Sequence, residues 1–403
     1  MKRKVEAASS PSMLELILMK THPQKKLLKL GRNEDEDDQK DKVEALPTDL
    51  EVEILSRLPS KSLMKLRCVS KIWSSIIRSQ RFVDSFYALS STRSRFTVAF
   101  SSGIYALDAT RRLFIFSSSF EEEDLSSSPS SLVAKLDMII PSVSRTYPYR
   151  CPSIHGFVGC ANTSKFIVCN PSTKQVITLP IQGDRASLGY DPVGRQFKVL
   201  NLVTGPGEFR SYLVHEFITL GAGGEVSRNQ VTTANYVPVT DGVYINAKNG
   251  SGRCDVRYET ISLIKAPRDV VYWETESILI NYRGKIASVT LYPYVPFRSF
   301  DLWILEDAVT HEWSNQTFEL PFPLVDVTSS GTNKAGEIIF APNYLQHMGA
   351  PFFIFYYNVE KKDMRRVRIH GIADNEEFRR QYGLLDCTSV TISPEHIESI
   401  ASL

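Results

Sequence analysis

The sequence predicts a small all-α module of three short helices followed by an all-β domain of propeller type with six blades. Three observations carry this. Residues 46–78 place aliphatic side chains at helical spacing, punctuated by Pro47 and Pro59. From about residue 95, alternation rich in Val, Ile, Phe and Tyr replaces that spacing. Strand-like anchors then recur at a period that fits four-stranded blades, which repeat at roughly 40–50 residues. The chain has 403 residues, above the roughly 100–200 expected of one domain. The expected organisation is a disordered tail over 1–43, a helical module over 44–88 and a β domain over 95–390.

Composition excludes several classes. The chain is 42% hydrophobic and 23% charged, which suits a globular protein rather than a fibre or a disordered chain. A formal net charge of +2 gives bulk electrostatics no grip on a nucleic acid, so none is expected as a partner. Six cysteines in this length are not a small disulfide scaffold. No apolar run reaches 18 residues, and no apolar stretch of signal-peptide length follows Met1-Lys2-Arg3-Lys4. Neither a membrane span nor a secretory signal is expected, which leaves cytosol or nucleus undecided. Within the tail, the acidic run Glu34-Asp35-Glu36-Asp37-Asp38 repels itself and has little apolar surface to bury.

The helical module begins at Leu46-Pro47. Thr48 and Glu51 have the spacing of a capping box. Leu50, Ile54, Leu55 and Leu58 follow along one face, and Pro59 stops the helix. Ser60 can cap a second helix bearing Leu63 and Leu66, with Cys68 and Val69 after them. Ser70 can start a third, with Ile72, Trp73, Ile76 and Ile77 turned inward. These aliphatic positions exceed what a core of some 40 residues needs, so one apolar face is expected to be covered by a partner protein.

The spelling of this stretch resembles the F-box of the large plant family of F-box proteins. Leu46-Pro47-x-Asp49-Leu50-x-x-Glu53-Ile54-Leu55-x-Arg57-Leu58-Pro59 is similar to its opening. Lys61-Ser62-Leu63-x-x-x-Arg67-Cys68-Val69-Ser70-Lys71-x-Trp73 is similar to its second half. The resemblance implies docking on the small Skp-type adaptor of a cullin-RING ubiquitin ligase. It implies an adaptor interface of Leu46, Pro47, Leu50, Ile54, Leu58, Pro59 and Leu63. Arg67, Cys68, Val69 and Trp73 would sit in or beside the module's own core.

In the β domain, Phe96–Phe100, Leu113–Phe116 and Phe157–Cys160 read as strands. Ser117–Ser131, serine-rich with an acidic patch, reads as a mobile loop. Phe166–Cys169 is a strand, Asn170-Pro171-Ser172-Thr173 a turn, and Gln175–Pro180 a strand. Similar units are anchored at Tyr212–His215, Cys254–Arg257, Leu302–Leu305 and Ile354–Tyr357, spaced 46, 42, 48 and 52 residues from Phe166 onward. Leu113 lies 53 residues ahead of Phe166. A sandwich or jelly roll would explain short strands but not the periodic anchors. The segment 95–107 is expected to close the final blade, and Trp303 and Trp313 to face buried surface.

This region resembles the F-box-associated domain of plant proteins, a kelch-like propeller that recruits targets. The resemblance rests on Ile167–Thr173 with Thr178-Leu179-Pro180, on Gly189-Tyr190-Asp191-Pro192 with Phe197–Leu200, on Leu302–Asp307 with His311–Ser314, and on Gly336–Ile339. One departure is the stretch 247–253, where a further strand is expected, so the blade near 241–265 is expected to be weak.

No catalytic constellation is legible, and no cofactor or metal is expected. The seven histidines do not pair at ligand spacing. Cys151, Cys160 and Cys169, nine residues apart, read as small buried residues on separate strands. Glu306 and Asp307 are adjacent and point apart. His311 and Trp313 read as inter-blade packing, and Arg365, Arg366, Arg368, Arg379 and Arg380 as solvated strand edges. The function expected is that of a non-catalytic substrate-recognition subunit of an SCF-type ligase, joining adaptor and cullin to an unknown protein target. The alternatives are an F-box scaffold or inhibitor acting outside a ligase, and a kelch-type propeller enzyme.

Overall fold

The structure is a computed structural model. It describes residues 47–93, 95–101, 112–119, 131–141, 143, 151–162, 164–182, 185–203, 212–221, 223–234, 254–262, 264–267, 270, 276–291, 296–345, 351–384 and 388–403. The tail 1–43, Leu46 and the stretch 247–253 lie outside these residues. The chain divides into two compact units, the first ending at Leu58 and the second running from Pro59 to Leu403.

The described part of the first unit is one helix, α1 (Thr48–Arg57). Its cap differs from the expected box. Pro47 is the N-cap, with φ −53° and ψ 137°, and its carbonyl accepts the Leu50 and Glu51 amides at 3.0 and 3.1 Å. Thr48 is already helical, so its hydroxyl cannot cap from outside, and no side chain bonds the cap. The helix stops at Leu58, held extended at φ −77°, ψ 148°, as the residue before Pro59 must be.

The second unit opens with α2 (Ser60–Leu66), α3 (Lys71–Arg78) and α4 (Gln80–Ser90). The sequence reading ends at three helices; α4 is a fourth. Ser79, extended at φ −65°, ψ 138°, breaks the helical run and accepts the Phe82 amide on its hydroxyl at 3.4 Å. Leu63, Leu66, Trp73, Ile77, Phe82 and Phe86 are buried. Ile72 is 64% exposed, against expectation. The inward stripe is Trp73 and Ile77, four apart, and Ile72 lies about 100° around the helix from Trp73.

The strands are β1 (Arg95–Ser101), β2 (Leu113–Ser119), β3 (Ser131–Ile140), β4 (Ser153–Ile154), β5 (Phe157–Asn162), β6 (Lys165–Asn170), β7 (Gln175–Pro180), β8 (Ala186–Asp191), β9 (Gln196–Leu202), β10 (Tyr212–Leu220), β11 (Val226–Ala234), β12 (Cys254–Asp255), β13 (Thr260–Ile261), β14 (Glu276–Tyr282), β15 (Lys285–Leu291), β16 (Phe297–Asp307), β17 (Glu312–Leu324), β18 (Val327–Thr332), β19 (Ile338–Pro342), β20 (Phe352–Asn358), β21 (Asp363–His370) and β22 (Val390–Ser393). A short helix, α5 (Glu376–Tyr382), precedes β22. Three four-stranded antiparallel meanders comprise β4–β7, β8–β11 and β14–β17. β12 and β13 form a two-stranded sheet. The remaining strands make an eight-stranded sheet in the order β18-β19-β20-β21-β3-β2-β1-β22.

The periodic anchors fall at one structural position. β6, β10, β16 and β20 are each third in their run of four strands, and β2 is third in β22-β1-β2-β3. Only the anchor at Cys254 breaks the rule, landing on the short β12. Three readings change. The closing contact is made by the C-terminal β22, which pairs with β1 from Thr97–Ser393 to Phe100–Val390, so β1 lies between β2 and β22 in the eight-stranded sheet that also holds β18–β21. The loop expected over 117–131 gives its ends to β2 and β3. Arg368 lies inside a sheet, because the end of β21 pairs with β20 and, in parallel from Arg368 to His370, with β3, whereas Arg366 is exposed.

Alternation along the strands sends aromatics inward. Phe300, Phe318, Phe340 and Tyr357 form one buried knot, with Phe300 and Tyr357 edge-on at 5.1 Å. Phe100, Phe114 and Phe116 form another under Phe378 and Tyr382 of α5.

Candidate functional site

Two features of the helical region stand out. The first is the surface of α1. Pro47 and Leu50 are exposed, Leu50 by 47%, and Ile54 and Leu58 are half-buried. Leu50, Ile54 and Leu58 succeed one another at i, i+4 and i+8, so they form one apolar stripe. Glu53 and Arg57 pair at 2.6 Å on the exposed surface, which contributes little to stability.

The second feature lies in the Pro59–Leu403 unit, where α2 and α4 are clamped to the β domain. The Ser60 hydroxyl donates to Glu398 Oε1 at 2.8 Å, and the same oxygen takes Arg95 Nη1 at 2.7 Å. Lys61 pairs with Asp137 at 2.5 Å. On α4, Asp84 pairs with Arg195 at 3.3 Å. Tyr87 stacks on His155, which stacks in turn on Tyr190, with ring centroids 3.8 and 3.9 Å apart. Burial in this sandwich pushes His155 down to about 4 and Tyr87 up to about 12.

The C-terminal residues form the clamp. After β22 the chain runs as a strap across the first sheets. His396, buried, meets Ser153 Oγ through Nδ1 at 2.8 Å. Asn170 Nδ2 donates to the carbonyls of Ser399 and Ala401, and Gln175 and Leu403 bond each other's amide and carbonyl groups. Gly156 sits beneath the strap at φ +83°, where a Cβ would stand 2.3 Å from that of Ser399.

The family comparisons fit this geometry. The F-box domain matches residues 44–85, and the F-box associated beta propeller domain matches residues 102–397. The chain belongs to the F-box proteins. An Arabidopsis thaliana F-box protein is 47% identical over 399 residues, covering 90% of this chain and 99% of that protein. A putative F-box protein of the same plant is 42% identical, with 87% and 82% covered. The Arabidopsis F-box protein DOR is 33% identical, with 87% and 93% covered.

The residues singled out within this F-box separate into classes. Pro47, Leu50 and Pro59 are exposed, Ile54 and Leu58 half-buried. Leu63 is fully buried at 0%, so it is a core residue of its unit and not a contact surface. Trp73 is buried at 4%, while Arg67 and Val69 are half-buried. Cys68, expected in or beside the core, is exposed. It lies in the turn after α2, where its amide bonds Lys65 O at 3.0 Å.

The other candidates have structural partners. Cys151, Cys160 and Cys169 are buried in one apolar cluster, and burial drives the Cys169 thiol far above its usual range. Glu306 bonds Lys285 and Ser314, while Asp307 accepts the Val309 and Thr310 amides. His311 is a turn residue at φ +59°, so it does not share a strand face with Trp313. Trp313 donates Nε1 to Lys265 O at 3.0 Å, and Trp303 is half-buried. Arg365 pairs with Glu337 at 2.9 Å, and Arg379 is buried in α5, so neither is a solvated edge. Among the described residues no group of three His, Cys, Asp or Glu side chains is placed to hold a metal. No helix among them is long and apolar enough to cross a membrane. The strap, His155 and Arg95 are absent from the sequence reading. Its one available signal was Ile397 and Ile400 beyond the last alternating strand.

Proposed function

We propose that this F-box protein is a non-catalytic substrate-recognition subunit of an SCF-type cullin-RING ubiquitin ligase. In this reading the F-box spans 44–88 and docks on the Skp-type adaptor through the apolar stripe Pro47, Leu50, Ile54 and Leu58. Leu46 and Pro59 extend it; Leu63 does not. The propeller, from residue 95 through the strap, carries six blades: β22-β1-β2-β3, β4–β7, β8–β11, a reduced β12-β13, β14–β17 and β18–β21. Its loops bind the target.

The single observation that supports this best is the exposed Leu50 of α1, inside a matched F-box. A large apolar side chain left in water is stabilised by a partner that covers it. Function then follows from tethering. Holding a target beside a bound ubiquitin-conjugating enzyme raises the local concentration of target lysines, an effect that requires little slack in the holder. The clamping of α2 and α4 by Glu398, Asp137 and the His155 stack supplies that stiffness within the second unit.

Co-expression of the full chain with a Skp-type adaptor and a cullin tests the reading. Recovery of all three in one complex is expected. Recovery with adaptor but not cullin would favour a scaffold or inhibitor outside a ligase. Recovery with neither would end the proposal.

A further inference from the structure

An apolar groove of about 280 Å³ opens between the ends of β17 and β20. Phe322, Phe353 and Phe355 line it with Pro323 and Val325. Val325 is 44% exposed. Phe322 and Phe355 meet at 6.0 Å, Phe353 and Phe355 at 6.5 Å. Pro321 and Pro323 cannot donate ladder hydrogen bonds, and the β16–β17 register shifts here, between Phe297 and Ser299.

The charge at the groove is one-sided. Among the described residues Arg366 is its one charged lining residue, and its guanidinium lies 5.2 Å from the Phe353 ring centre. Arg368 stands directly opposite Phe353 in the β20–β21 register. Its Nε is buried with no hydrogen-bond partner. Arg365, on the other face of the same strand, has both Glu337 and the Tyr356 ring. Among the described residues Arg366 and Arg368 have no such carboxylate.

β1 starts at Arg95, beside Glu398 and α2. β3 runs in the same direction as β1, because both pair antiparallel with β2. β21 runs parallel to β3. The parallel register sets Arg368 beside Ser131 and His370 beside Val133, so the end of β21 lies level with the start of β1, at the clamp end.

We propose that this groove is the target-binding site, and that its ligand is an extended, unstructured segment of a target protein. The segment carries a large aliphatic or aromatic side chain with an Asp or Glu one or two residues away. The apolar side chain packs on the aromatic lining. The carboxylate reaches Arg366, which stands opposite Phe355 in the register, within the few ångströms that one or two extended residues span. Arg–carboxylate pairing beside an aromatic ring is a strong and directional contact. A second copy of this chain is a poor occupant, since a two-fold contact would bring two Arg366 side chains together. The inference rests on the target-recruiting role proposed above.

Selection of a phage-displayed random dodecapeptide library on the full chain tests it. Enrichment of peptides pairing a large apolar residue with Asp or Glu is expected. The best peptide should weaken at least about tenfold with Arg366→Glu, with Val325→Arg, and when its own acid becomes the amide. Both variants alter exposed side chains and should keep the parent melting temperature. Arg366→Glu should regain binding to the peptide whose acid is replaced by lysine. Enriched peptides without acids, affinity untouched by either variant, self-association lost on Arg366→Glu, or no enrichment would each overturn the assignment. Adaptor capture by Arg366→Glu separates the two proposals. Retained capture with no peptide selection sinks the groove alone, whereas loss of adaptor binding by the parent sinks the ligase reading.

Discussion

Ser60 and Glu398 stand 338 residues apart in sequence, and a 2.8 Å hydrogen bond joins their side chains. The Glu398 side chain is 8% exposed, and Arg95, its ionic partner, 18%. One carboxylate thus ties the first turn of α2, the first residue of β1 and the C-terminal strap into one buried junction.

Removing that carboxylate should therefore cost far more than removing a surface charge. Glu398→Ala leaves Arg95 without its partner in a water-poor site, and a loss of about 3 kcal/mol of unfolding stability is expected. Glu376→Ala, which removes an exposed pair with Arg380, should change stability by under about 0.5 kcal/mol. Urea titrations of the two variants give the comparison, and equal effects would show that the junction is only a surface contact.

Gly156 should be intolerant of any side chain. Its positive φ and its closeness to Ser399 and Ile397 mean that alanine must either distort the turn or lift the strap. Gly156→Ala should lower stability by roughly 2 kcal/mol. It should also speed amide exchange at residues 396–403. Gly224→Ala is the control. Its φ is +87° but nothing lies within 4 Å of the added carbon, so it should carry backbone strain without moving the strap.

Stability should fall in mild acid. His396 is buried and His155 is enclosed by two tyrosines, and burial lowers both from 6.5 to about 4. Arg95 adds to the lowering at His396, and Asp137 opposes it. Between about pH 4 and 6.5 the unfolded chain binds protons at these positions that the folded chain does not. The stabilising effect of keeping them neutral is therefore complete above pH 6.5 and shrinks as the pH falls toward 4. For His396 this amounts to about 3 kcal/mol across the window. Unfolding measured at pH 7 and pH 5 should show the drop, and His396→Gln should reduce it, leaving the part due to His155. A flat profile in the parent protein would contradict this environment.

Much of the architecture was legible because it is periodic. Alternation marked β5 to β7, and the recurring anchors found the third strand of five runs. Pro59 marked the end of α1 through the restriction it places on Leu58. The misses have physical causes as well. Proline at position 47 took the cap that Thr48 was expected to supply. Ser79 split one apparent helix into two without any proline or glycine. Arg368 looked like an edge because its neighbour, β3, is brought alongside by parallel pairing from over 200 residues away. The clamp was invisible for the same reason. Glu398 and His396 acquire partners only when the ends of the chain meet, and no local pattern encodes that meeting. Leu63 was misplaced because helical spacing identifies a face without saying what covers it.

The adaptor affinity of α1 variants tests the central claim most directly. Calorimetric titration of a Skp-type adaptor into the full chain should give a 1:1 complex. Leu58→Asp, and separately Leu50→Asp, should weaken it at least about 100-fold, since each places a charge in a contact stripped of water. Val309→Asp, at a site that is 85% exposed in a turn of the β domain, should leave it unchanged. Adaptor binding that survives both α1 substitutions in a chain of unaltered melting temperature would contradict the assignment of this stripe as the docking surface.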